Sequence, residues 1–79
     1  MDILDAIKRT VEKVTNDEHE ISRESHLVND LILDSLDSAV YLLELEKLYQ
    51  IKLEDEVVDS RDLYHVANMI DFIEGSTTD

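Results

Sequence analysis

The sequence contains no cysteine, no proline and no tryptophan, a single glycine at position 75, and only seven basic residues among 79. Without cysteine there is neither a disulfide framework nor a thiolate metal site to supplement the core, and a chain this short removes only about 60% of the surface its unfolded form exposes. Stability must come from packing. With so few helix breakers and no internal repeat, helix is the natural expectation. There is no long apolar run of membrane-spanning length, and the N-terminus opens on Asp2, Ile3, Leu4 and Asp5 in place of the basic stretch and apolar run of a signal peptide. A cytoplasmic domain with no membrane insertion is expected.

What the chain has in excess is acid: twenty Asp and Glu give a formal net charge of −13. Such a surface repels nucleic-acid phosphates and anionic lipid and steers basic protein surfaces toward it. The sign is uneven. Up to Thr15, Asp2, Asp5 and Glu12 balance Lys8, Arg9 and Lys13, so the excess lies in the rest of the chain. Acidity also serves solubility, so charge alone does not define a docking face.

Ile3, Ile7, Val11 and Val14 recur at steps of four, four and three, predicting a helix from about Asp2 to Thr15 with one buried stripe. From Asn16 to about Leu33 the pattern dissolves into polar residues punctuated by Ile21, Leu27, Val28 and Leu31. This reads as a long loop held by apolar anchors, a kind of segment that is often functional. A second helix should start at Asp34 or Ser35 and reach about Tyr49, with Asp34 as cap and Asp37 at the capping-box position. A short helical turn is expected over Asp55 to Asp59. The last helix carries Val66, Ile70 and Ile73, with Gly75 suited to its C-terminal cap and residues 75–79 expected as a disordered tail. The expected fold is all-α: one domain over residues 1–79, a small bundle of three main helices plus one short helix, with a long first connection.

Few residues offer chemistry. His19, His26 and His65 lack any ligand spacing and read as solvated polar residues. Asp30, Asp34 and Asp37 fail the calcium-loop pattern, so no metal site is proposed. No set of nucleophile, base and orienting acid suggests a hydrolase. What stands out is the segment NDLILDSLDSAVYLLELEKLY, Asn29 to Tyr49, in which Asp34, Ser35 and Leu36 open a helix after a long loop. A helix start suits an anion, because its N–H groups are unpaired and the dipole is positive there.

This segment resembles the acyl carrier proteins, in which an Asp-Ser-Leu tripeptide opens the second helix and its serine takes a prosthetic arm. The resemblance extends over nearly the whole chain, including Leu31 three residues before Asp34, Asp37 after Leu36, and the closing stretch VANMIDFIE. It implies that Ser35, flanked by Asp34 and Leu36, carries 4′-phosphopantetheine covalently, taken from coenzyme A by a separate Mg²⁺-dependent phosphopantetheinyl transferase. The chain would then be a carrier and not an enzyme, presenting acyl thioesters to loading and processing enzymes with basic docking surfaces, and a monomer is expected. Ile32 stands where many members have Gly, Glu54 near a common Pro, and Val40 and Lys47 where fatty-acid carriers usually have Glu. A specialised lipid, polyketide or aminoacyl pathway therefore fits as well as fatty-acid synthesis, and the D-alanyl carriers are similar too. The rival from another class is an unmodified acidic helical interaction domain in which Ser35 only caps.

At about 100° per residue, the second helix has two apolar sets. Tyr41, Leu42, Leu45, Leu48 and Tyr49 should face the core. Leu36, Val40 and Leu43 fall on the opposite side with Asp37, Glu44, Glu46 and Lys47, as an exposed recognition patch with an acidic rim.

Overall fold

Asp2 starts the first helix, its carboxylate accepting the Leu4 N–H at 3.0 Å. In the computed structural model, which describes residues 2–77, α1 runs over Ile3–Thr15, α2 over Ser35–Tyr49, α3 over Asp55–Ser60 and α4 over Val66–Thr77. Among the described residues there is no strand, only an isolated antiparallel bridge between His26 and His65. The fold is the small all-α bundle with a long connection between α1 and α2.

The stripe on α1 does what its spacing predicts: Ile7 and Val11 are wholly buried, and Ile3 and Val14 pack against the core from its edge. Thr10 is buried among them and donates its hydroxyl to the Ala6 carbonyl at 2.8 Å, so no polar atom is stranded there. α1 packs against α2 and α4. It runs antiparallel to α2: Lys13 near its end pairs with Glu44, and Asp2 before its start lies close enough to Tyr49 to act on its phenol. Leu45 of α2, Val58 of α3 and Val66, Met69, Ile70 and Ile73 of α4 complete the core.

The long connection is not a loose loop. Its carbonyls at Ser25 and Arg23 accept the N–H groups of Val66 and Ala67 at 2.9 and 3.0 Å, supplying the partners that the first turn of α4 lacks internally. Leu27, wholly buried, donates its N–H to the Tyr64 carbonyl at 2.9 Å. The connection therefore holds α4 and α2 to one another.

Several expectations need correction. Ile21 and Leu27 anchor the connection, but Val28 is 36% and Leu31 90% exposed; Leu33 is the third buried anchor. Leu48 is 55% exposed, because α1 and α2 do not close over it and leave a groove of about 220 Å³ lined by Ala6, Arg9, Thr10 and Lys13 of α1. Gly75, the expected cap, lies inside α4, which continues to Thr77. Of the tail, Thr78 and Asp79 lie outside the described residues.

Candidate functional site

The approach to α2 is a tightly bonded turn. Ile32 and Leu31 donate their N–H groups to the carbonyls of Leu27 and Val28 at 3.1 and 3.0 Å, the pattern that closes a helical turn through a left-handed residue. That residue is Leu31, with φ of 60°. Glycine would adopt this conformation freely, whereas a leucine there costs roughly 1–2 kcal/mol, and its side chain recovers nothing by burial. A strained apolar residue thus stands at the surface four residues before Ser35.

His26 organises this turn. Its backbone carbonyl and N–H bond the N–H and carboxylate of Asp30 at 2.9 and 3.0 Å. Its ring accepts the Asn29 N–H at Nδ1, 3.0 Å, which makes Nε2 the donor to Asp62 at 2.8 Å. The expectation of three solvated histidines is therefore wrong: His26, His19 and His65 are half-buried, and His26 links the connection to the segment between α3 and α4. No sequence spacing signals such a link, because its partners stand three and thirty-six residues away.

Asp34 caps α2. Its Oδ1 accepts the Asp37 N–H at 2.8 Å, which is one half of a capping box, and its carbonyl accepts the Ser38 N–H at 2.9 Å. The N–H groups of Ser35 and Leu36 have no partner among the described residues. An anion attached at Ser35 would meet these two donors and the positive end of a fifteen-residue helix.

Two serines stand in this first turn, and their surroundings differ. Ser38 is buried, its hydroxyl donating to the Asp34 carbonyl at 2.7 Å and lying 3.1 Å from that of Ser35. Ser35 is exposed, and its hydroxyl has no partner among the described residues. Of these two serines, Ser35 is the one whose hydroxyl is open to solvent. Among the described residues no group of three or more His, Asp or Glu could hold a metal ion.

Beyond Ser35, α2 presents Leu36, Val40 and Leu43 at 73, 39 and 54% exposure, with Lys47 continuing the stripe. Asp37 is half-buried at its edge. Glu44 and Glu46 are not free rim charges. Glu44 turns toward α1 and pairs with Lys13 at 3.1 Å, while Glu46 Oε2 accepts the Leu53 N–H at 2.7 Å and holds the end of the α2–α3 connection. The wheel places both about 80° from the centre of the stripe, near enough to the packed side for neighbouring elements to reach them.

Comparison with known proteins agrees with this geometry. The chain matches the family described as "Phosphopantetheine attachment site" over residues 5–70. It is 40% identical over 63 residues to an acyl carrier protein of Coprothermobacter proteolyticus, covering 80% of this chain and 74% of that one. It is 37% identical over 76 residues to an acyl carrier protein of Brachyspira hyodysenteriae, covering 94% and 95%. No solved structure gives a significant match.

Proposed function

The chain belongs to the acyl carrier protein family and contains a phosphopantetheine attachment domain, and from that premise we propose that Ser35 is its attachment residue. The observation that carries this reading is the contrast between an exposed, unbonded Ser35 hydroxyl and the buried, bonded hydroxyl of Ser38. Ser35 Oγ attacks the pyrophosphate of coenzyme A, an O–P bond forms, the P–O bond to the nucleotide breaks, and adenosine 3′,5′-bisphosphate leaves. The serine proton passes to a base of the phosphopantetheinyl transferase.

The residues fit the group. The free N–H groups of Ser35 and Leu36 would hold the phosphodiester, and the Asp34 cap fixes the turn that presents them. Asp34 and Asp37 oppose the new negative charge, so the site relies on the helix terminus and the partner's cations. The arm, once attached, supplies a thiol that holds acyl groups as thioesters. The protein is a carrier and substrate of the transferase, with fatty-acid, specialised lipid or polyketide enzymes as recipients. Val40 and Lys47, exposed on the stripe where fatty-acid carriers usually have acids, favour a dedicated pathway.

Partners dock on Leu36, Val40 and Leu43, where apolar contact supplies affinity, and the net charge of −13 steers basic surfaces toward it. Incubation with coenzyme A and a broad-specificity transferase tests the central claim. The intact mass should rise by one phosphopantetheinyl group, and an unchanged mass with several transferases refutes it.

A further inference from the structure

Among the described residues three buried polar atoms have no hydrogen-bond partner: His19 Nδ1, Tyr41 Oη and His65 Nδ1. The two imidazoles belong to half-buried residues. Tyr41 differs, because the whole residue is 0% exposed and belongs to the cluster that holds Ile7, Val11, Leu45 and Ile70. A hydroxyl in an apolar interior with no acceptor is destabilising, and phenylalanine would fill almost the same space without that penalty. Buried groups of this kind are rare in folded proteins, and one kept at a cost to stability calls for a function.

The place of this hydroxyl suggests its partner. Tyr41 lies six residues after Ser35, about 9 Å along the same helix, on the side that faces the core. An acyl chain tethered at Ser35 is held beside this apolar interior at high effective concentration, and its methylenes gain by leaving water. A saturated chain brings no acceptor for the hydroxyl. A chain bearing oxygen does.

We propose that Tyr41 is a specificity-determining residue whose hydroxyl donates a hydrogen bond to an oxygen on the cargo chain, so that the interior favours oxygenated acyl groups over saturated ones. Burial, followed by the neighbouring Tyr64, pushes the Tyr41 phenol well above its ordinary pKa, which keeps it protonated as a donor. The inference rests on Ser35 as the attachment residue.

The experiment compares wild type and Tyr41→Phe, each unloaded and each loaded from octanoyl or 3-oxooctanoyl coenzyme A. Loading is verified by intact mass and stability is read as melting temperature. Unloaded Tyr41→Phe should melt higher than wild type by about 4–8 °C, the shift expected for relieving one unpaired buried group in a domain of this size. The 3-oxo chain, relative to octanoyl, should favour wild type over Tyr41→Phe by a similar margin. A lower melting temperature for unloaded Tyr41→Phe would mean that the hydroxyl already has a partner, and would overturn the proposal. So would an equal difference between the two chains in both proteins. Failure of both chains to load with several transferases would show in the mass and would remove the attachment reading, and the inference with it. Loaded proteins with no Tyr41-dependent difference would refute the inference alone.

Discussion

Ser35 and Ser38 stand one helical turn apart at the start of α2, and the backbone carbonyls of Asp34 and Ser35 engage the hydroxyl of Ser38 while that of Ser35 faces solvent. On the proposed assignment, Ser38 serves the turn and Ser35 the attachment. Ser38→Ala should lower stability by about 0.5–1.5 kcal/mol, the worth of one part-buried hydrogen bond, as measured by urea denaturation. It should leave phosphopantetheine loading at the wild-type level. A Ser38→Ala variant that is fully stable would show that the bond contributes nothing to the turn.

The stripe and the core face of α2 differ in what truncation costs. Leu45 is wholly buried, so Leu45→Ala should destabilise by about 2–5 kcal/mol. Leu43→Ser, on a half-exposed position, should stay within about 0.5 kcal/mol while slowing loading by the transferase. A loss of several kcal/mol in the Leu43 variant would place that side chain in the core and remove the docking stripe.

His26 and Lys13 both make ion pairs or hydrogen bonds across the fold, with unequal consequences. The Lys13–Glu44 pair has one side chain 69% exposed, and Lys13→Ala should cost under about 1 kcal/mol. His26 is 15% exposed and joins Asn29 and Asp62, so His26→Ala should cost about 1–3 kcal/mol. It should also increase hydrogen exchange at the Asn29 amide. Equal, small losses in both variants would contradict the role of His26 as the link between the turn before α2 and the α3–α4 segment.

Much of this was legible in the sequence because it is written locally. The steps of four and three in α1, and an Asp three residues before the first bonded N–H of α2, specify those helices without reference to the rest of the chain. The exposure of Leu36, Val40 and Leu43 follows from the same periodicity. What periodicity misses is decided by neighbours. Leu48 is exposed because a groove remains between α1 and α2 beside it; Glu44 and Glu46 are occupied because Lys13 and Leu53 come within reach. The stitching of the connection to α4 runs through backbone atoms of Arg23, Ser25 and Leu27, which carry no side-chain signature. Gly75 fails as a cap because α4 continues past it to Thr77.

Alkaline pH should expose the cost of the buried phenols. Burial raises the pKa of Tyr41 and, less completely, of Tyr49, where the Asp2 charge adds to it. The unfolded phenols release their protons first, near pH 10, so the unfolded state binds fewer protons and stability falls as pH rises past about 10. Denaturation midpoints measured from about pH 9 to 12 should fall less steeply in Tyr41→Phe than in wild type. Parallel profiles would show that Tyr41 is free to ionise in the folded protein.

The most direct test of the account is the intact mass of Ser35→Ala and Ser38→Ala beside wild type, after incubation with coenzyme A and a broad-specificity phosphopantetheinyl transferase. Wild type and Ser38→Ala should each gain a single phosphopantetheinyl group, and Ser35→Ala should gain none. A group that still appears on Ser35→Ala, or that depends on Ser38, would contradict the assignment of Ser35 as the attachment residue.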